Sequence, residues 1–141
     1  MNMPEALGVA KRARAIWLIL IGKAQDRQVL TYKALGKMMS LGPRNLTWPL
    51  ARVTAYCNEK KYPNLTTIVV KQEAGLPGPG LVTVHNKTVE SENRGEAFSR
   101  ERERVFRRRW YELDPPTPAE LEQAWKKEQA EKKRKKERGA V

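Results

Sequence analysis

Apolar residues near the start of the chain recur at spacings of three and four. Leu7, Ala10, Trp17, Leu18 and Ile21 share this register with Arg14, which predicts a helix from Pro4 to about Ala24. Residues 25–28 are polar, and Val29-Leu30 reads as a brief extended lead-in. Thr31 then offers a hydroxyl to the open amides of a short helix over 32–39, whose inner face carries Leu35 with Met38 or Met39. Ser40-Leu41-Gly42-Pro43 breaks that helix. Asn45 or Thr47 is placed to cap the next one, with Pro49 tolerable as part of its first turn. Leu46, Leu50, Val53 and Cys57 fall on one face of this longer helix, which runs to Lys60.

Beyond Tyr62-Pro63-Asn64 the period changes. Residues 65–70 are rich in β-branched side chains and predict a strand. A second strand over 81–85 would pair with it as a hairpin, across a Gly- and Pro-rich turn at 74–80. Residues 86–93 read as loop, and helical spacing returns from Glu96 to Trp110 with Phe98, Val105 and Phe106 as anchors. Asp114-Pro115-Pro116-Thr117-Pro118 reads as a stiff linker. From Ala119 the pattern is helical again, first with Leu121, Ala124 and Trp125, then charged only. The expected fold is mainly α with a small β-hairpin wing: a winged helix-turn-helix followed by basic C-terminal helices. Its parts are a domain over 1–85, a loop over 86–93, a basic helix over 94–113, a linker over 114–118, and a charged helical or disordered tail over 119–141.

Charge sharpens this picture. The chain has 28 Lys and Arg against 16 Asp and Glu, a formal net charge of +12, and the excess is clustered. Residues 100–109 hold six arginines and two glutamates; residues 126–138 hold eight basic and three acidic side chains. Without an apolar stripe, the latter segment is expected to fray and to serve as an electrostatic arm. Clustered positive charge favours a polyanionic partner, duplex DNA first, with RNA or an acidic protein surface as alternatives. Cys57 is the one cysteine, so no disulfide forms within the chain, and a lone thiol suits a reducing cytoplasm. The apolar run at 15–21 is too short to span a bilayer and no signal-peptide cleavage site follows it, so no membrane association is expected.

Catalytic chemistry finds little support in this residue set. There is one histidine, His85, and the two aspartates, Asp26 and Asp114, are far apart. The glutamates alternate with arginine and lysine, as in Arg100-Glu101-Arg102-Glu103-Arg104, which is the pattern of an ion-paired helix face rather than a metal site. No catalytic residue, metal or cofactor is therefore expected. Binding is better represented. Arg44, Asn45, Thr47, Trp48, Ala51 and Arg52 occupy the start and outer face of the second helix of the pair, where arginine and asparagine can read guanine and adenine edges. Trp48 serves either as a core aromatic or as an exposed wedge that stacks on bases. Thr31 and Tyr32 are placed to reach phosphate, Lys71, His85 and Lys87 fall near the ends of the wing strands, and Arg107, Arg108 and Arg109 extend the basic patch.

The string Leu30-Thr31-Tyr32-Lys33-Ala34-Leu35-Gly36, the Pro43-Arg44 turn, the next helix and Ile68-Val69-Val70 before a Gly-rich turn carry a further signal. They resemble the C-terminal winged-helix domain of the O6-alkylguanine-DNA alkyltransferases and alkyltransferase-like proteins. The resemblance covers about 55 of the 141 residues. It implies a shared architecture and DNA docking, with Tyr32 matching the family tyrosine that presses on the backbone beside a flipped nucleotide. The family's inserted arginine falls near Thr47-Trp48, where this chain has no arginine. Thr66-Thr67-Ile68 stands where the family carries Cys-His-Arg, so alkyl transfer is not implied. The resulting expectation is a non-enzymatic DNA-binding accessory or regulatory factor of a bacterium or phage. The alternative is a small phage-type inhibitor or adaptor that grips an acidic protein.

Overall fold

A computed structural model describes residues 3–71, 83–84, 87–88 and 94–139. The described chain is mainly helical, with five α-helices and a small two-stranded parallel sheet. Helix α1 spans Met3–Gln25, β1 Leu30–Thr31, α2 Tyr32–Met39, α3 Pro43–Lys60 and β2 Val69–Val70. Strands β3 (Thr83–Val84) and β4 (Lys87–Thr88), then α4 (Arg94–Arg107) and α5 (Pro118–Gly139), complete the order.

The core lies where α1, α3 and α5 pack on one another. Helix α1 contributes Ala13, Ile16, Trp17, Leu20, Ile21 and Ala24 at the spacing its sequence predicts, although Leu18 turns outward. Trp17 meets Tyr56 and Trp110 edge-on at 5.5 and 5.4 Å, the arrangement favoured by ring quadrupoles. Helix α5 adds Leu121 and Ala124, both buried. Helix α4 anchors through Phe98 and Val105, and Arg102 donates from Nε and Nη2 to the Thr67 carbonyl at 3.3 and 3.2 Å.

Local signals for α2 work as expected. Thr31 Oγ1 accepts from the Ala34 amide at 3.0 Å, and Leu35 is buried while Met38 is exposed. The start of α3 differs from the sequence reading. Gly42 is the N-cap and Pro43 the first helical residue, so neither Asn45 nor Thr47 caps the helix. Pro49 consequently stands inside α3, beyond its first turn. Helix α2 ends on Ser40 and α3 on Lys61 with φ of 55° and 59°, left-handed stops made without glycine.

The predicted strand over 65–70 is only partly a strand. Leu65–Ile68 form a 3-10 turn, because the Asn64 side chain accepts from the Thr66 amide at 3.1 Å and the Thr66 hydroxyl at 2.8 Å. Thr67 Oγ1 in turn donates to the Asn64 carbonyl at 2.9 Å. Side-chain bonds of this kind compete with the ladder and override β propensity. The remaining strand, β2, pairs in parallel with β1, Leu30 opposite Val69 and Thr31 opposite Val70, rather than with 81–85. Thr83–Val84 pairs antiparallel with Lys87–Thr88, inside the segment read as loop. The turn at 74–80, the residues 81–82, and His85 lie outside the described residues. The helix expected over 96–110 is Arg94–Arg107, followed by a 3-10 turn at Trp110–Glu112. The basic C-terminal segment, expected to fray, is helical as far as Gly139. Among the described residues no helix is long and apolar enough to cross a membrane.

Candidate nucleic-acid interface

Helix α2, the turn at 40–42 and the first turns of α3 make one exposed cationic surface. Gly36 sets its geometry: a Cβ there would lie 2.6 Å from the Leu41 carbonyl oxygen, so the helix and the turn approach as closely as only glycine permits. Tyr32, Lys33, Gly36, Lys37, Ser40 and Leu41 line an open cleft of about 360 Å³ along α2. Beyond the turn, Arg44, Asn45 and Thr47 are exposed, and Trp48 keeps 49% of its surface in water. Among the described residues Lys33, Lys37 and Arg44 form no ion pair. Lys33 and Lys37 are not among the residues that the sequence motif marks, although their spacing of four on a short amphipathic helix puts them on one outer face.

The other expected site residues divide sharply. Thr31 caps α2, Tyr32 borders the cleft, and exposed Lys71 directly follows the Val70 that pairs with Thr31. Arg52 does not lie on the outer face. Its exposure is 0%, and its Nε and Nη2 donate to Glu122 Oε2 and Oε1 at 3.0 and 3.3 Å. Nη1 donates to the Trp48 carbonyl at 3.1 Å, and the guanidinium lies 3.7 Å over the Trp125 ring. Every face of this cation is used to lock α5 onto α3.

Arg107, Arg108 and Arg109 are exposed but internally engaged, and they sit away from Arg44. Arg107 Nε and Arg109 Nη1 each donate at 3.2 Å, to Glu103 and Glu112. Arg108 lies 4.8 Å over the Tyr62 ring, past the C-terminal end of α3. Arg27 also reaches Glu103, at 2.8 and 2.7 Å, and that hydrogen bond holds the Glu103 carboxyl below the usual range.

Cys57, Thr66 and Thr67 are poorly placed to act as nucleophiles. Cys57 is fully buried, and burial pushes its thiol up to about 12, with the charge of buried Glu101 acting in the same direction. Thr66 and Thr67 are buried as well, held by Asn64 and Thr54 in a hydroxyl network with Thr54 Oγ1 and Thr66 Oγ1 3.1 Å apart. Among the described residues no cluster of His, Cys, Asp or Glu could hold a metal ion. No family model, curated protein or solved structure matches the chain.

Proposed function

We propose that this chain is a non-enzymatic duplex-DNA-binding protein that docks through α2 and the first turns of α3, the helix-turn-helix part of a winged-helix unit. The observation that carries the reading is the contrast in charge use. Arg52 and Arg107 to Arg109 are engaged within the protein, whereas Lys33, Lys37 and Arg44 are exposed around one tight helix pair. Arg44 and Asn45 carry the donors and acceptors that read base edges in a major groove, while Thr31, Lys33, Lys37 and Lys71 suit phosphate. Half-exposed Trp48 suits stacking or an apolar contact with thymine methyls. The raised thiol of Cys57, remote from solvent, supports a role without group transfer. The likeness of Thr31-Tyr32 and the following helices to alkyltransferase winged helices belongs to this proposal and supports docking only.

The exposed apolar side chains Met38 and Trp48 favour one competing reading, an acidic protein partner seated on the same surface. Equilibrium binding to duplex DNA, single-stranded DNA and RNA across a salt series separates the two. Duplex preference with affinity falling steeply in salt is the expected result. Equal binding to all three polymers, or none to any, would sink the duplex reading.

A further inference from the structure

The helix that closes the core also leaves it. Up to Glu128, α5 is a packing element: Leu121 and Ala124 are buried, Trp125 lies under Arg52, and Glu128 accepts from Asn58 Nδ2 at 3.2 Å. Residues 129–139 continue as helix, and every one of them is exposed. They carry Lys132, Lys133, Arg134, Lys135, Lys136 and Arg138 against Glu131 and Glu137. With 3.6 residues per turn, these cations point in all directions round the axis. Lys132 and Glu128 pair at 3.2 Å, carrying the helix across the edge of the body.

The place of this arm matters as much as its charge. Its root beside Asn58 lies about 21 Å along α3 from Arg44 at the usual helical rise. Between Trp125 and Glu128 the contact on α3 moves from Arg52 to Asn58, away from Arg44, and the arm extends about 16 Å further. Exposed Lys60 and Lys61, at the end of α3, belong to this rear region with Arg108. Screening in physiological salt acts over about 8 Å. Arg44 and the root of the arm are thus more than two screening lengths apart along α3, and the arm works as a site of its own.

The geometry points to a second nucleic-acid contact: the α5 arm grips the phosphate backbone of a duplex segment other than the one at α2 and α3, so one molecule bridges two segments. This rests on the α2–α3 reading for the first of the two sites. The occupant of the arm is a phosphate backbone and not a folded protein, because cations surround the helix and residues 129–139 offer no apolar side chain larger than Ala130 as an anchor.

The test uses the full chain, one duplex fixed on beads, and a second duplex carrying a fluorophore. The bound chain should retain the fluorescent duplex. Replacing Lys132, Lys133, Lys135 and Lys136 by glutamine, which suits a helix, should lower that retention at least tenfold. Affinity for a single duplex, read by anisotropy, should change less than threefold. Unchanged retention overturns the inference, and so does a parallel loss of single-duplex affinity, since arm and α3 would then share one duplex. A chain that light scattering shows to be dimeric overturns it too, because a second copy could then supply the bridge. If Arg44→Ala binds a single duplex like the parent while the glutamine variant does not, the arm is the sole site. Both the bridge and the α2–α3 reading then fall, whereas a parent chain that binds one duplex and does not retain the second overturns the bridge alone.

Discussion

The two halves of α3 carry similar residues and meet opposite fates. Arg44, Asn45, Thr47 and Trp48 face outward over the first turns, whereas every residue from Arg52 to Cys57 is buried. Each half has an arginine. What separates the two is an element 70 residues away in sequence: α5 brings Glu122 and Trp125 against Arg52, and Arg44 stays uncovered. The same side chain is thus a structural clamp at one position and an available donor at the other. Identity and helical register do not decide which; tertiary cover does.

The largest expected effect is at the clamp. Arg52→Ala leaves Glu122, only 13% exposed, without its guanidinium and strips Trp125 of its partner. Breaking such a pair should cost about 3 kcal/mol and lower the melting temperature by about 10 °C. A variant that melts with the parent would erase the distinction between the halves. Gly36→Ala comes next. Its Cβ meets the Leu41 carbonyl, a backbone atom that cannot swing aside, so a loss of about 2 kcal/mol is expected in chemical denaturation.

Arg44→Ala should do the reverse of Arg52→Ala: stability within about 0.5 kcal/mol of the parent, and duplex affinity down about tenfold, the worth of one base-edge contact. Calorimetry and anisotropy on the same preparation check both halves of that statement. The smallest effect is at the exposed bridge between the turn after α1 and helix α4. Arg27 depresses the pKa of Glu103, so the contribution of the pair is present above the ordinary carboxylate range and lost as pH falls through the depressed value. Arg27→Ala should therefore melt slightly below the parent at neutral pH, and the gap should narrow in acid to what the guanidinium contributes 5.2 Å over the Phe106 ring. A gap that does not narrow at low pH would remove the Glu103 pair as a source of stability.

What could be read from the residues was local. Thr31 capping α2 and the stripe Leu46, Leu50, Val53 and Cys57 depend on neighbours within a few turns, and the structure shows both. The stretch 65–70 misleads because Asn64, just before it, supplies an acceptor that turns the backbone away from a ladder. Leu121, Ala124 and Trp125 stand out as apolar positions, yet nothing in them names α3 as their target. The burial of Arg52 follows from that docking, so it was invisible to a pattern that treats the outer face of a helix as solvent. Lys33 and Lys37, four residues apart, share one outer face of α2, yet spacing alone does not separate them from an ordinary solvated face.

Pro49 gives the exposed half of α3 a mechanical character of its own. A proline inside a helix has no amide to return to the carbonyl four residues back, and its ring pushes that carbonyl aside. The Asn45 carbonyl therefore lacks its bond from residue 49, one of those that tie the exposed turns to the buried ones. The turn that carries Arg44, Asn45 and Thr47 is therefore held to the body less by its backbone ladder than by two side chains, Leu46 buried in the core and Arg52 bonded to the Trp48 carbonyl. Amide exchange should register the weaker ladder as faster turnover at Asn45 and Thr47 than at Val53, a gradient along one continuous helix.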